Sequence, residues 1–146
     1  MTDTAFALFL DFDGTLVEIA PRPDGVVVPP DLPAGLARLR GRLGGAMALV
    51  TGRPIATIDG FLAPERFDVA GLHGVEQRRD GRVAGGDPAA HPALRAGVET
   101  LQRAVADLDG VLIEDKGCSV AVHWRLASEA DAVRAQSAAA SVAGIL

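Results

Sequence analysis

Asp11-Phe12-Asp13-Gly14-Thr15-Leu16 directly follows the apolar run Ala5-Phe6-Ala7-Leu8-Phe9-Leu10, and the junction between them decides the fold. Residues 6–10 read as a strand buried on both faces, as in a parallel sheet. Two carboxylates then leave its C-terminal end, where open α/β sheets place their ligand crevice. Carboxylates one residue apart repel, so a loop that holds them together generally holds a cation as well. Gly14 lets the backbone turn sharply, and Thr15 offers a hydroxyl and an N–H. This is what transfer of a phosphoryl group to an aspartate needs. A solvated pair of loop carboxylates is the alternative, and an isolated Asp-x-Asp would favour it. Here the apolar strand, the Gly-Thr turn and the end of the next strand agree on a site.

Downstream, Asp31 is placed to cap a helix whose Leu32, Leu36, Leu39 and Leu43 share one face. Gly44-Gly45 close it. A second strand, 46–50, delivers Thr51-Gly52-Arg53-Pro54, and Pro54 opens a short helix, 54–62, as its first residue. A third strand, 67–70, leads into Gly71-Leu72-His73-Gly74. The β-α-β-α-β order predicts an α/β fold with a parallel sheet and right-handed crossovers. Asp80-Gly81 reads as a hairpin turn between 75–79 and 82–83. Turn-forming residues crowd 85–92, which sets a core domain at 1–88 and a second domain at 89–146. The second domain opens with a helix bearing Leu94, Val98, Leu101, Val105 and Leu108 on one face. Strands 111–114 and 119–124, joined around Lys116-Gly117, form an antiparallel pair with one covered face. Ser128-Glu129-Ala130-Asp131 is a capping box for a last helix that runs to the chain end.

Apolar residues make up 49% of the chain, enough for a packed core and against disorder. The formal net charge of −5 argues against nucleic acid and anionic membranes. An anionic substrate must therefore be captured locally, by a metal, helix N-termini and single basic groups. Cys118 is the only cysteine, so no intrachain disulfide forms. No apolar segment reaches the roughly 20 residues of a membrane helix, and Met1-Thr2-Asp3-Thr4 lacks the basic start of a signal peptide. A cytoplasmic protein is expected.

Asp11, ionised at neutral pH, needs no separate base to act as nucleophile. Asp13 can protonate the leaving oxygen and then deprotonate the attacking water. Mg²⁺, touched by Asp11 and by the carbonyl of Asp13, would offset the repulsion between carboxylate and phosphate. Thr51 and Gly52, at the end of the second strand, can hold phosphate oxygens, or Thr51 serves only as a turn cap. Arg53 is either a surface cation or an ion-pair partner that holds the loop. His73 either reaches the site or caps a strand end. His123 and Trp124 read as structural, and Cys118, placed in a strand, as a small apolar residue. Glu114 and Lys116 flank Asp115 on a turn, where they either bind sugar hydroxyls or a phosphate or form a salt-bridged hairpin tip, the reading that spacing alone favours.

Asp-Phe-Asp-Gly-Thr-Leu after an apolar strand resembles the first motif of the haloacid dehalogenase superfamily. Leu49-Val50-Thr51-Gly52-Arg53 resembles its second. Three segments resemble the trehalose-6-phosphate phosphatase family within it: Thr51-Gly52-Arg53-Pro54, Gly71-Leu72-His73-Gly74-Val75-Glu76, and the run from Ile113-Glu114-Asp115-Lys116 to His123-Trp124-Arg125. The resemblance implies a Rossmann-like parallel sheet carrying an α+β cap. It implies Mg²⁺-dependent hydrolysis of trehalose 6-phosphate through an aspartyl-phosphate, with Glu114 and Lys116 contacting the trehalose moiety. It also implies two later motifs, a lysine and an acidic pair, and neither follows Arg125. The chain is accordingly expected to hold the N-terminal half of the core and the beginning of the cap. The rival expectation is a fragment or degenerate paralogue that binds a sugar phosphate or a partner subunit without turnover. An incomplete sheet would leave an open edge suited to self-association.

Overall fold

The computed structural model describes residues 6–87 and 92–145. The chain forms two compact units that divide between Gly85 and Gly86. The boundary expected at 88/89 falls outside the described residues.

The first unit is built on a five-stranded sheet. β1 (Leu8–Asp11), β2 (Met47–Val50) and β3 (Asp68–Gly71) run parallel, and β4 (Glu76–Arg79) and β5 (Arg82–Gly85) continue it antiparallel, in the spatial order β1-β2-β3-β4-β5. Helices α1 (Leu32–Arg42) and α2 (Ile55–Leu62) lie on the two crossovers. The core gathers Leu36, Met47, Leu49, Ile58, Leu62, Phe67 and Val69 with Phe12 from the acidic loop. Phe12 is fully buried and stacks on Phe61 at 5.7 Å between ring centroids.

β1 departs from expectation. Among the described residues it pairs only with β2, and Phe9 on it is 69% exposed. A run that is apolar at every position carries no period-2 signal, so the uncovered face left no trace in the sequence. Asp31 does occupy the α1 N-cap, but with helical dihedrals (φ −90°, ψ −11°), and its carboxylate makes no cap bond. Pro54 sits at the α2 N-cap with ψ 146°, one position before the helix. The Asp80-Gly81 hairpin is as read: both residues have positive φ (50° and 75°), the pair that a two-residue type I′ turn needs. The Asp80 N–H donates to Asp68 Oδ1 at 3.0 Å.

An ion-pair clamp ties this unit together. Arg78 on β4, 9% exposed, donates Nε–H to the Phe67 carbonyl at 2.8 Å. Its other two nitrogens fork onto Asp59 of α2 at 2.8 and 2.7 Å. Arg66 reaches the same carboxylate at 2.6 Å.

The second unit comprises α3 (Pro92–Ala104), β6 (Leu112–Asp115), β7 (Val120–His123) and α4 (Glu129–Ala143). β6 and β7 are antiparallel. Val105, Leu108 and Ala135 form its core, with Val111, Ile113, Val122 and Ala138 packed against them. Ser128 caps α4 as expected: its Oγ accepts the Asp131 N–H at 3.1 Å and donates to Asp131 Oδ2 at 2.8 Å. Cys118 lies in the turn before β7 rather than in a strand, and Trp124, just past β7, is 36% exposed. Gly110 has φ +77°, and a Cβ there would stand 2.3 Å from the Leu126 carbonyl oxygen. Gly110→Ala is therefore expected to destabilise this unit by about 2–3 kcal/mol, read as a lower urea midpoint with an unchanged slope. Among the described residues no helix is long and apolar enough to cross a membrane.

Candidate functional site

The parallel register pairs Leu10 with Leu49 and Asp11 with Val50. The residues that follow each strand therefore leave the sheet side by side. Buried Phe12 anchors the first loop, and its carbonyl accepts the N–H groups of Leu16 and Val17 at 3.0 and 3.2 Å. The Gly14 N–H donates to the Val17 carbonyl at 2.8 Å and closes the turn. Asp11, exposed at the strand end, makes no ion pair among the described residues. Its nearest side-chain donor is the Thr15 hydroxyl at 3.5 Å from Oδ2, long for such a bond.

Asp13 is held quite differently. Arg53 donates Nε–H to Asp13 Oδ2 at 2.8 Å and a terminal nitrogen to Oδ1 at 2.7 Å. This is the bidentate fork that suits a guanidinium to a carboxylate. The remaining terminal nitrogen donates to the Pro23 carbonyl at 2.8 Å, and the guanidinium carbon lies 5.3 Å from the Phe61 ring centroid. The Arg53 side chain is only 11% exposed. Of the two roles open to it, Arg53 takes the ion pair.

Thr51 is buried, and its N–H donates to the Ala70 carbonyl at 2.9 Å. Its Oγ1 accepts the Arg53 N–H at 3.1 Å, and a hydroxyl that accepts can still donate. The turn after β3 packs on this loop: the His73 N–H donates to the Thr51 carbonyl and the Leu72 N–H to the Arg53 carbonyl. Leu72 and His73 both have left-handed backbone, φ 50° and 56°. Such strain gathers where a loop is held for a purpose. A Cβ on residue 52 would stand 2.5 Å from His73 Nε2, so the ring rests on Gly52. At the start of α2, the Ile55 N–H donates to Glu76 Oε1. The chain's own carboxylate thus meets the helix N-terminus beside the loop.

In the second unit, Glu114 Oε2 lies 2.8 Å from His123 Nε2 and 3.7 Å from Lys116 Nζ. The register pairs Glu114 with Ala121 and Leu112 with His123, so glutamate and histidine meet diagonally across the ribbon. Lys116 donates its backbone N–H to the Ser119 carbonyl at 2.9 Å, and Asp115 Oδ1 accepts the Gly117 N–H at 2.7 Å. The tight turn thus brings Glu114 and Lys116 together with His123.

Sequence spacing showed neither the Asp13 partner, 40 residues away, nor Glu76 nor the His123–Glu114 pair. Glu76 had one signal, its place at the end of the Gly71–Glu76 segment.

A divalent cation fits this donor set poorly. Among the described residues no group of three His, Cys, Asp or Glu side chains is gathered to hold a metal. Both Asp13 oxygens face Arg53, which leaves the Asp11 carboxylate and backbone carbonyls. A hard cation asks for more.

Acidic and Thr-Gly-Arg loops leaving adjacent parallel strands define an α/β protein whose candidate site lies at its strand ends. The trehalose-phosphatase family model matches residues 9–145. A probable trehalose-phosphate phosphatase from Sinorhizobium fredii is 52% identical over 126 residues, covering 85% of this chain and 46% of that protein. The trehalose-6-phosphate phosphatase of Escherichia coli is 39% identical over 127 residues, covering 85% of this chain and 47% of the enzyme. A solved trehalose-6-phosphate phosphatase related protein superposes with a TM-score of 0.81 at 25% identity, covering 96% of this chain and 61% of that one. The C-terminal domain of the C. albicans enzyme, at 19% identity and a TM-score of 0.80, shares the fold. The chain belongs to the trehalose-phosphatase family. It spans about half the length of the two curated relatives.

Proposed function

We propose that this chain carries the nucleophile-bearing part of a Mg²⁺-dependent phosphatase that hydrolyses trehalose 6-phosphate through an aspartyl-phosphate. The observation that supports this most is the β1–β2 register, which sets Asp11 beside the Thr51-Gly52 loop. An Asp11 carboxylate oxygen attacks phosphorus, and the bond from phosphorus to the sugar oxygen breaks. Asp13 gives that oxygen a proton. Water, deprotonated by Asp13, then attacks the acyl phosphate, releasing phosphate and restoring Asp11. The fork takes one acceptor site on each Asp13 oxygen and leaves a second lone pair on each for either proton transfer. Thr51 and Gly52 hold the phosphoryl oxygens, and Glu114 and Lys116 hold the sugar. Mg²⁺ belongs to the proposal through the family, and this chain would offer it the Asp11 carboxylate and backbone carbonyls. Cytoplasmic location and self-association through the β1 edge belong to the same proposal. A chain that binds a sugar phosphate or a partner subunit without turnover is the rival.

The test is phosphate release from trehalose 6-phosphate in Mg²⁺. Replacing both Glu114 and Lys116 with Ala is expected to lower kcat/KM for trehalose 6-phosphate about 100-fold, the worth of two charged contacts. Turnover of a small aryl phosphate should stay unchanged. An unchanged trehalose 6-phosphate value would move the sugar site elsewhere.

A further inference from the structure

The structure assigns Arg53 the role of the acidic loop's built-in cation: its guanidinium occupies both oxygens of Asp13 and withholds that carboxylate from a divalent ion. Two carboxylates one residue apart need a positive charge between or beside them, and here the chain itself supplies it. The fork is not a loose surface pair. Its nitrogens lie 2.7 and 2.8 Å from the Asp13 oxygens. The Pro23 carbonyl fixes its third nitrogen, and its plane sits by the Phe61 ring. Holding this guanidinium on three sides costs little further side-chain entropy, so it competes well with a solvated ion. A divalent ion drawn onto the Asp13 carboxylate would bring like charge up to the guanidinium and would share its oxygens with the fork. Arg53 thus adds to the shortage of ligating side chains at this loop. The arginine supplies at Asp13 the positive charge that a cation would otherwise bring.

Isothermal titration with MgCl₂ tests this, and its readout is cation binding, so it stands apart from whether the chain hydrolyses anything. Arg53→Gln is expected to bind Mg²⁺ about tenfold more tightly than the parent, because a second carboxylate joins the donors. The double variant Arg53→Gln/Asp13→Asn should fall back to the parent affinity. Equal affinities in folded parent and folded single variant would overturn the assignment. So would a gain that survives loss of Asp13. Carbodiimide labelling of the parent gives an answer even if the glutamine variant does not fold. Asp13 should label several-fold more slowly than Asp11, and equal rates would refute the fork.

Discussion

Asp11→Asn is expected to lower phosphate release from trehalose 6-phosphate on the order of a thousandfold or more. The amide keeps the shape of the carboxylate but has no anionic oxygen to form the acyl phosphate. The change should also leave the fold intact. Asp11 is exposed, its carboxylate is met by the Thr15 hydroxyl at a long 3.5 Å, and Phe12 holds the loop from below. Loss of turnover with an unchanged melting temperature would place the effect in chemistry. Asp13→Asn is expected to cost about 10²–10⁴-fold, the usual worth of an acid–base group. An Asp11→Asn protein that still releases phosphate at the parent rate would remove the aspartyl-phosphate from the proposal.

The largest effect on stability is expected at Asp59. Asp59→Asn should destabilise the first unit by about 3 kcal/mol, the low end of the cost of orphaning one partner of a buried pair. Arg78 would keep the Phe67 carbonyl and a single amide oxygen, and its nearly buried guanidinium would lose its countercharge. For a unit of this size that is a fall of roughly 4–8 °C per kcal/mol. Arg78→Met should cost less, because Asp59 keeps Arg66. Hydrogen bonds from Arg78, followed by Arg66 and both positive charges, hold the Asp59 carboxyl below its ordinary 3.8 against the opposing effect of burial. A carboxyl lowered on folding adds stability above its unfolded value, and that stability is lost as pH falls through the folded value. Acid unfolding of the parent should therefore steepen below about pH 3.8. The asparagine variant should lack that part of the slope. Urea midpoints measured from pH 7 down to 2 would decide both points.

Elements with a local signature were legible in the sequence. The leucine spacing gave α1, Asp80-Gly81 gave the hairpin, Ser128 gave the α4 cap, and three apolar runs gave the parallel strands. The acidic loop was legible because strand, carboxylates and turn glycine are contiguous. Features that depend on distant partners were not. Arg53 and Asp13 meet across 40 residues, and Glu76 reaches the start of α2 across 21. No periodicity encodes such meetings. Burial was misjudged where local pattern says nothing about neighbours: Phe9 looks like core by composition and is exposed on an end strand. Asp31 shows the reverse limit, since a residue of the right type stands at the cap position without capping.

The β1–β2 register carries a consequence for how this protein tolerates change. Asp11 stands opposite Val50, so the sheet aligns the carboxylate with the Thr51-Gly52 loop. Side chains alternate between faces along a strand. One residue inserted within β2 would turn its following side chains to the other face and carry Thr51 out of line with Asp11. The same residue inserted at the exposed Gly44-Gly45 turn, where a Cβ on either glycine would meet nothing within 4 Å, would lengthen a surface connection and leave that alignment in place. Length is thus freer to change in that turn than within the strands, and a library of single insertions would map the site as a gap in tolerance at the ends of β1 and β2.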